Sequence, residues 1–331
     1  MTCAGSTSTD HRPRLGSYAL ERLLGEGSMG QVYEARHVKL DRLVAIKMLR
    51  PERAHDAQLV QRFFQEARTV NRINHRHIVG IHDFIEDTDD EGRPRAYCVM
   101  EYLEGATLTQ LLQSGTLPLE RILRIVDQVI QALSAAHDVG VIHRDLKPDN
   151  IFVSTSEQGE DSVRVLDFGV AKLMDPDPDV GPGRTHDGAI IGTPKYMAPE
   201  QAASLEVDFR TDVYGVGTIL YELLTGRPPF SGDAFGPLVA NIITQPVEPP
   251  GPFTVAGEAI PPELESLVMR CLEKDPSLRP ESMPELRRQL AGCPRGEHGL
   301  HRRSPAVLFA TAAMLILGAL ALLVRPMLEV P

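Results

Sequence analysis

From Tyr18 onward the chain alternates short apolar runs with glycine and charge. YALERLLGEGSMGQVYEARH reads as strand, glycine-rich turn, strand, and LDRLVAIKML as a third strand. In residues 57–73, AQLVQRFFQEARTVNRI, apolar positions recur at helical spacing and predict one helix. IVGIHDFIED and RAYCVMEYL predict two more strands, with the acidic DTDDEGR between them as a solvated loop. Beyond Gly105 the period becomes mainly helical. LPLERILRIVDQVIQALSAAHDVG predicts an amphipathic helix with a glycine just past its end. TDVYGVGTILYELLTG is apolar nearly all round, which places it in a buried helix. Residues 246–262, rich in proline and glycine, read as a long surface connection. The change of period near residue 104 predicts an α+β, bilobal molecule, with a small β-rich lobe over 18–104 and a larger helical lobe over 105–290.

The two ends depart from this pattern. Residues 1–17 are short, polar and aperiodic, without the apolar core of a secretory signal, and read as a flexible leader. Residues 306–324, AVLFATAAMLILGALALLV, are uncharged throughout, with only Thr311 breaking an apolar and glycine run. At 1.5 Å per residue such a helix is ~28 Å long, close to the ~30 Å hydrocarbon core of a bilayer. A terminal core helix would keep a polar stripe, so the expectation is one C-terminal transmembrane helix, preceded by a linker over 291–305 and followed by a short tail over 325–331. His301, Arg302 and Arg303 before the span place the N-terminal side in the cytoplasm, with the chain in the cell membrane as a single-pass protein. Small residues within it (Ala306, Ala310, Ala313, Gly318) permit helix association in a homodimer.

Charge narrows the partners. The chain of 331 residues carries 34 Lys and Arg against 45 Asp and Glu, a net of −11, which disfavours a nucleic-acid partner. Cys3, Cys98, Cys271 and Cys293 lack metal-ligand spacing and read as reduced thiols.

Three groups of residues carry chemistry. Gly25-Glu26-Gly27-Ser28-Met29-Gly30 lies between two predicted strands, where glycine lets backbone N–H groups approach phosphate oxygens; by itself it is equally a plain glycine hairpin. Lys47, on an otherwise apolar strand, and Glu66, on the following helix, can hold a positive charge against nucleotide phosphates. His143-Arg144-Asp145-Leu146-Lys147-Pro148-Asp149-Asn150 then supplies what phosphoryl transfer to a hydroxyl needs: a carboxylate for the acceptor proton, a cation for the γ-phosphate and an oxygen ligand for Mg2+. Asp167, in Asp167-Phe168-Gly169, is a second metal ligand.

In this order, followed by Ala198-Pro199-Glu200, Asp212 and Arg279, these motifs resemble the eukaryotic-type protein kinase family, specifically a bacterial membrane-anchored Ser/Thr kinase, over about residues 18–290. The resemblance implies a bilobal fold with ATP in the cleft and Mg2+, or Mn2+ in its place, as the metal. It implies Asp145 as catalytic base, Lys147 at the γ-phosphate, and Asn150 and Asp167 as metal ligands. Leu24 through Gly30, Val32, Ala45, Lys47, Glu66, Met100, Glu101, Leu103 and Phe152 would form the ATP site, with backbone groups of Glu101 and Leu103 reading the adenine edge. Val70, His143 and Phe168 would stack as a core, and Glu200 and Arg279 would form a buried ion pair. Lys147 and Thr193 favour Ser/Thr hydroxyls of proteins as acceptors, and Arg144 would face a phosphate on Thr185. The implied function is an autophosphorylating, membrane-tethered Ser/Thr kinase. The alternatives are a membrane-anchored nucleotide-binding scaffold with little activity and an enzyme acting on small molecules.

Overall fold

The computed structural model describes residues 13–27, 30–168, 194–232 and 234–294. The transmembrane segment expected at 306–324, the linker beyond Pro294, and Ser28, Met29, Thr185 and Thr193 lie outside the described residues. Among the described residues, no helix is long and apolar enough to cross a membrane.

The predicted small lobe is an antiparallel sheet. Its strands are β1 (Arg14–Leu15), β2 (Tyr18–Glu26), β3 (Gly30–His37), β4 (Arg42–Leu49), β5 (Ile81–Thr88) and β6 (Pro94–Glu101), in the order β1-β2-β3-β4-β6-β5. β1 falls inside the stretch read as a flexible leader: Leu15 pairs with Tyr18 and is 3 % exposed, so burial of one side chain orders the end of that segment. The acidic loop between β5 and β6 is organised by Asp89, whose carboxylate accepts the N–H groups of Glu91 and Arg93 and a 2.7 Å contact from Arg93 Nε. Helix α1 (Ala57–Ile73) starts where the Asp56 carboxylate caps the N–H groups of Gln58 and Leu59, and ends at Asn74 in the left-handed region. It buries Val60, Phe63, Phe64, Ala67 and Val70.

The larger lobe is helical, as its period predicts. Helices α2 (Leu108–Ser114) and α3 (Leu119–Asp138) are followed by α4 (Pro199–Ala202), α5 (Arg210–Thr225), α6 (Phe235–Thr244), α7 (Pro262–Cys271) and α8 (Met283–Gly292). After α3 the chain turns at Gly140 with φ +77°, a conformation that favours glycine. Three short strands not expected in this lobe, β7 (Ala106–Thr107), β8 (Ile151–Thr155) and β9 (Asp161–Val165), form a second antiparallel sheet next to the catalytic-loop motif. Residues 246–262 run as an irregular connection, pinned by the Phe253–Ala259 bridge and by the Val255 N–H on the Leu224 carbonyl at 2.9 Å.

Helix α5 is the axis of this lobe: all of Thr211–Leu224 except Glu222 is buried. Gly217 lets it approach α7, because a Cβ there would lie 2.6 Å from Cys271 Cβ. Gly217→Ala is therefore expected to lower the unfolding free energy by about 1–3 kcal/mol in urea denaturation, even though alanine is the better helix former. An unchanged midpoint would mean that the α5–α7 contact yields without cost.

Candidate functional site

The site is assembled from β4, α1 and the irregular segments on either side of β8 and β9. Lys47 sits in β4 opposite Cys98 of β6. Its Nζ donates to Asp167 Oδ1 at 2.7 Å and lies 3.6 Å from Glu66 Oε1 on α1. Burial would push the Lys47 ammonium down, but the Asp167 and Glu66 carboxylates outweigh it and hold the group above its ordinary value, fully charged. Asp167 takes the closer contact. Burial pushes the Glu66 carboxyl up against the pull of Lys47. The Cys98 thiol beside this cluster is raised to about 12 by burial, which agrees with an inert, reduced cysteine.

Residues 141–147 have no helix or strand of their own to pair their backbone groups. Asp212 of α5 does so instead. Its Oδ2 accepts the N–H of His143 at 2.8 Å, its Oδ1 accepts the N–H of Arg144 at 3.0 Å, and His137 Nε2 lies 2.8 Å from Oδ2. Arg144 is thereby held at φ +64°, and Asp167 takes φ +45°, conformations that a side chain rarely adopts without external support. The Arg144 carbonyl accepts from Gln201 Nε2 at 2.7 Å, tying this loop to α4.

Within the loop Lys147 Nζ lies 3.2 Å from Asp145 Oδ2, and Asn150 Nδ2 donates to the Asp145 carbonyl at 2.9 Å. The Leu166 N–H donates to the Asn150 carbonyl at 2.8 Å, which joins this loop to the segment bearing Asp167. With its amide nitrogen spent on Asp145, Asn150 offers its amide oxygen. That oxygen and the Asp167 carboxylate are hard donors of the kind Mg2+ takes, in a site whose remaining ligands are water and phosphate. His143, fully buried, packs against Phe168 with the rings tilted by 42° and their centroids 4.7 Å apart, and Val70 lies in the same core as Phe168. Burial keeps the imidazole below its ordinary value.

The expected nucleotide-contacting residues flank this cluster. Val32 pairs with Lys47 in register, and Met100 pairs with Ala45. Ala45 is buried, Val32, Met100, Leu103 and Phe152 are half-buried, and Leu24 is exposed. Gly27 N–H donates to the Gly30 carbonyl at 2.8 Å; the position where a Cβ of Gly25 would stand is open, and one at Gly27 would meet the Gly30 carbonyl oxygen at an ordinary 3.9 Å. The Glu101 N–H donates to the Gly80 carbonyl at 2.9 Å. The Glu101 carboxylate accepts the Gly80 N–H at 2.8 Å and Arg164 Nε at 3.1 Å, bracing the connection between the lobes.

Farther from the cleft, Arg279 and Glu200 form the expected ion pair. Two bonds of 2.8 Å join Nη1 to Oε1 and Nη2 to Oε2, and Thr211 Oγ1 adds a third at 2.7 Å to the carboxylate. The other guanidinium donors meet the carbonyls of Glu273, Lys274 and Arg210, and the Tyr214 ring lies 5.0 Å from the guanidinium carbon. Burial would raise the Glu200 carboxyl, but the Arg279 and Thr211 bonds hold it below its ordinary value. Sequence reasoning missed His137 on Asp212, Gln201 on Arg144 and the Tyr196 hydroxyl on Glu222 at 2.8 Å. His137 has no motif around it, and Tyr196 and Gln201 flank Ala198-Pro199-Glu200 without belonging to it.

The protein kinase domain family model matches residues 18–289. The serine/threonine-protein kinase pkn3 of Myxococcus xanthus is 43% identical over 276 residues, covering 82% of this chain and 49% of that protein. The serine/threonine-protein kinase PknB of Mycobacterium tuberculosis is 38% identical over 282 residues, covering 85% of this chain and 43% of that protein. The chain thus spans about half the length, or less, of these curated relatives. The crystal structure of the Mycobacterium tuberculosis PknI kinase domain superposes with a TM-score of 0.58 at 26% identity, covering 84% of this chain and 97% of that one.

Arg279→Met should strand Glu200 as a buried charge and cost about 3–5 kcal/mol of stability in denaturant unfolding. The double variant Glu200→Leu, Arg279→Met should lose less than the sum of the two single losses. Strictly additive losses would show that the two side chains do not act as a pair.

Proposed function

The chain belongs to the protein kinase domain family, and on that premise we propose that it is a serine/threonine protein kinase, passing the γ-phosphoryl group of ATP to Ser or Thr hydroxyls of proteins, itself included. The observation that carries this reading is the convergence of Lys47, Glu66, Asp145, Lys147, Asn150 and Asp167, with no member replaced by a residue unable to do its part. Asp145 orients the acceptor hydroxyl and takes its proton. Lys147 offsets charge on the transferred group, and Lys47, braced by Glu66, holds the phosphates. Asn150 and Asp167 would hold Mg2+, or Mn2+ in its place, which when bound neutralises charge developing on the phosphate oxygens. Arg144 is the proposed receiver of a phosphate on Thr185, and Thr193 the proposed neighbour of the acceptor hydroxyl.

Residues 306–324 are proposed to tether this catalytic unit to the cell membrane, with the kinase domain on the cytoplasmic side, in reach of ATP. Their small residues suit a homodimer of spans. The net charge of −11 supports protein rather than nucleic-acid partners.

Two experiments test these readings. In a phosphate-transfer assay with Mg2+ and ATP, the wild type should label itself on Ser and Thr, with Thr185 among the sites mapped by mass spectrometry. Asp145→Asn should lower the rate by about 10²–10⁴-fold. Equal label in both forms would remove Asp145 from the chemistry. In cell fractionation, the full chain should stay with membranes through a carbonate wash, and a chain ending at Ser304 should not. A full chain recovered in the soluble fraction would contradict the tether.

A further inference from the structure

Arg50 follows the last residue of β4, three positions after Lys47, and belongs to no motif. Its backbone is fixed by the turn it opens, since its carbonyl accepts the N–H groups of Arg53 at 2.9 Å and Ala54 at 3.1 Å. The side chain reaches back across the sheet. Nη2 donates to the Gly27 carbonyl at 3.0 Å and lies 3.1 Å from Glu26 Oε1. One guanidinium therefore joins the end of the strand that carries Lys47 to the first half of the glycine-rich turn. Its Nε is buried and has no hydrogen-bond partner among the described residues. The side chain as a whole is 40% exposed, so its position is set by these two contacts at its tip.

A turn containing Gly25, Gly27 and Gly30 has more conformational freedom to lose on meeting a ligand than one with side chains at those positions. A contact that fixes the turn beforehand removes part of that loss. We infer that Arg50 is a positioning residue that clasps Glu26 and Gly27 against the end of the strand bearing Lys47, so that these two residues are already in place for the phosphates of a nucleotide. The inference rests on the nucleotide reading of the site. The benefit falls on ligands that carry phosphate, because the turn bears on that end, and a nucleoside lacking phosphate gains nothing from the clasp.

The test is calorimetric titration of the full chain in detergent with Mg2+-ADP and, separately, with adenosine, which needs no catalytic turnover. Arg50→Met should weaken ADP binding roughly three- to tenfold, the range expected for losing a charge-assisted hydrogen bond, while adenosine affinity stays within about twofold. Arg50→Lys should recover only part, since one ammonium does not reproduce the fork of a guanidinium. Glu26→Gln separates the clasp from simple charge. Removing a carboxylate near phosphates would tighten ADP binding through the field alone, whereas loosening the clasp weakens it. In steady-state assays, Arg50→Met should raise the KM for ATP and leave kcat within about twofold. Equal losses of ADP and adenosine, no loss at all, or tighter ADP binding by Glu26→Gln would overturn the inference. A wild type that binds neither ligand would overturn the nucleotide reading, and this inference with it.

Discussion

The charge on Lys47 is the constraint around which the cleft is organised. Its side chain is 14% exposed, and a buried ammonium without carboxylates would cost far more than the fold could bear. The two carboxylates that answer it come from different parts of the chain, Glu66 on α1 and Asp167 beyond β9. Satisfying one lysine therefore requires that the sheet, the helix beside it and a loop of the larger lobe arrive at the same place. This is also an arrangement ready for anionic ligands, because an ammonium held by carboxylates can exchange part of that attraction for phosphate oxygens.

The larger lobe meets a complementary demand. Catalytic side chains on an irregular loop need backbone groups that are paired without a helix or a strand to pair them. Asp212 does this from α5, a helix so deeply packed that its position is set by the core rather than by the loop. The left-handed backbone of Arg144 is supported on one side by Asp212 and on the other by Gln201. Glu200 and Arg279 extend the same device, tying α4 to the chain between α7 and α8 through a buried pair whose donors are all engaged. Rigidity at the site is thus drawn from buried charges, one directly beneath the loop and one pair farther off.

What was legible in the sequence follows a physical division. Long periodic segments such as 57–73 and 210–225 announce their elements, because a single face or an entire surface must be buried. The motifs around Asp145 and Asp167 are legible because their chemistry needs several residue types within a few positions. The strands β7, β8 and β9 are not, since runs of two to five residues carry too little pattern and Ala106 meets Val153 only through the folded chain. The commitment of the Glu101 N–H to Gly80 is likewise a product of how β5 leaves α1, not of any residue type. His137 and Arg50 act through contacts with residues 75 and 23 positions away, and nothing local distinguishes them from ordinary polar residues.

The central claim is that Asp167, Asn150 and Lys47 form one phosphate- and metal-handling centre. The most direct measurement is the Mg2+ dependence of ADP affinity in the wild type and in Asp167→Asn. The account predicts that Mg2+ strengthens ADP binding to the wild type and that this gain is lost in the variant, while adenosine binds both equally. The same Mg2+-dependent gain in Asp167→Asn would contradict it.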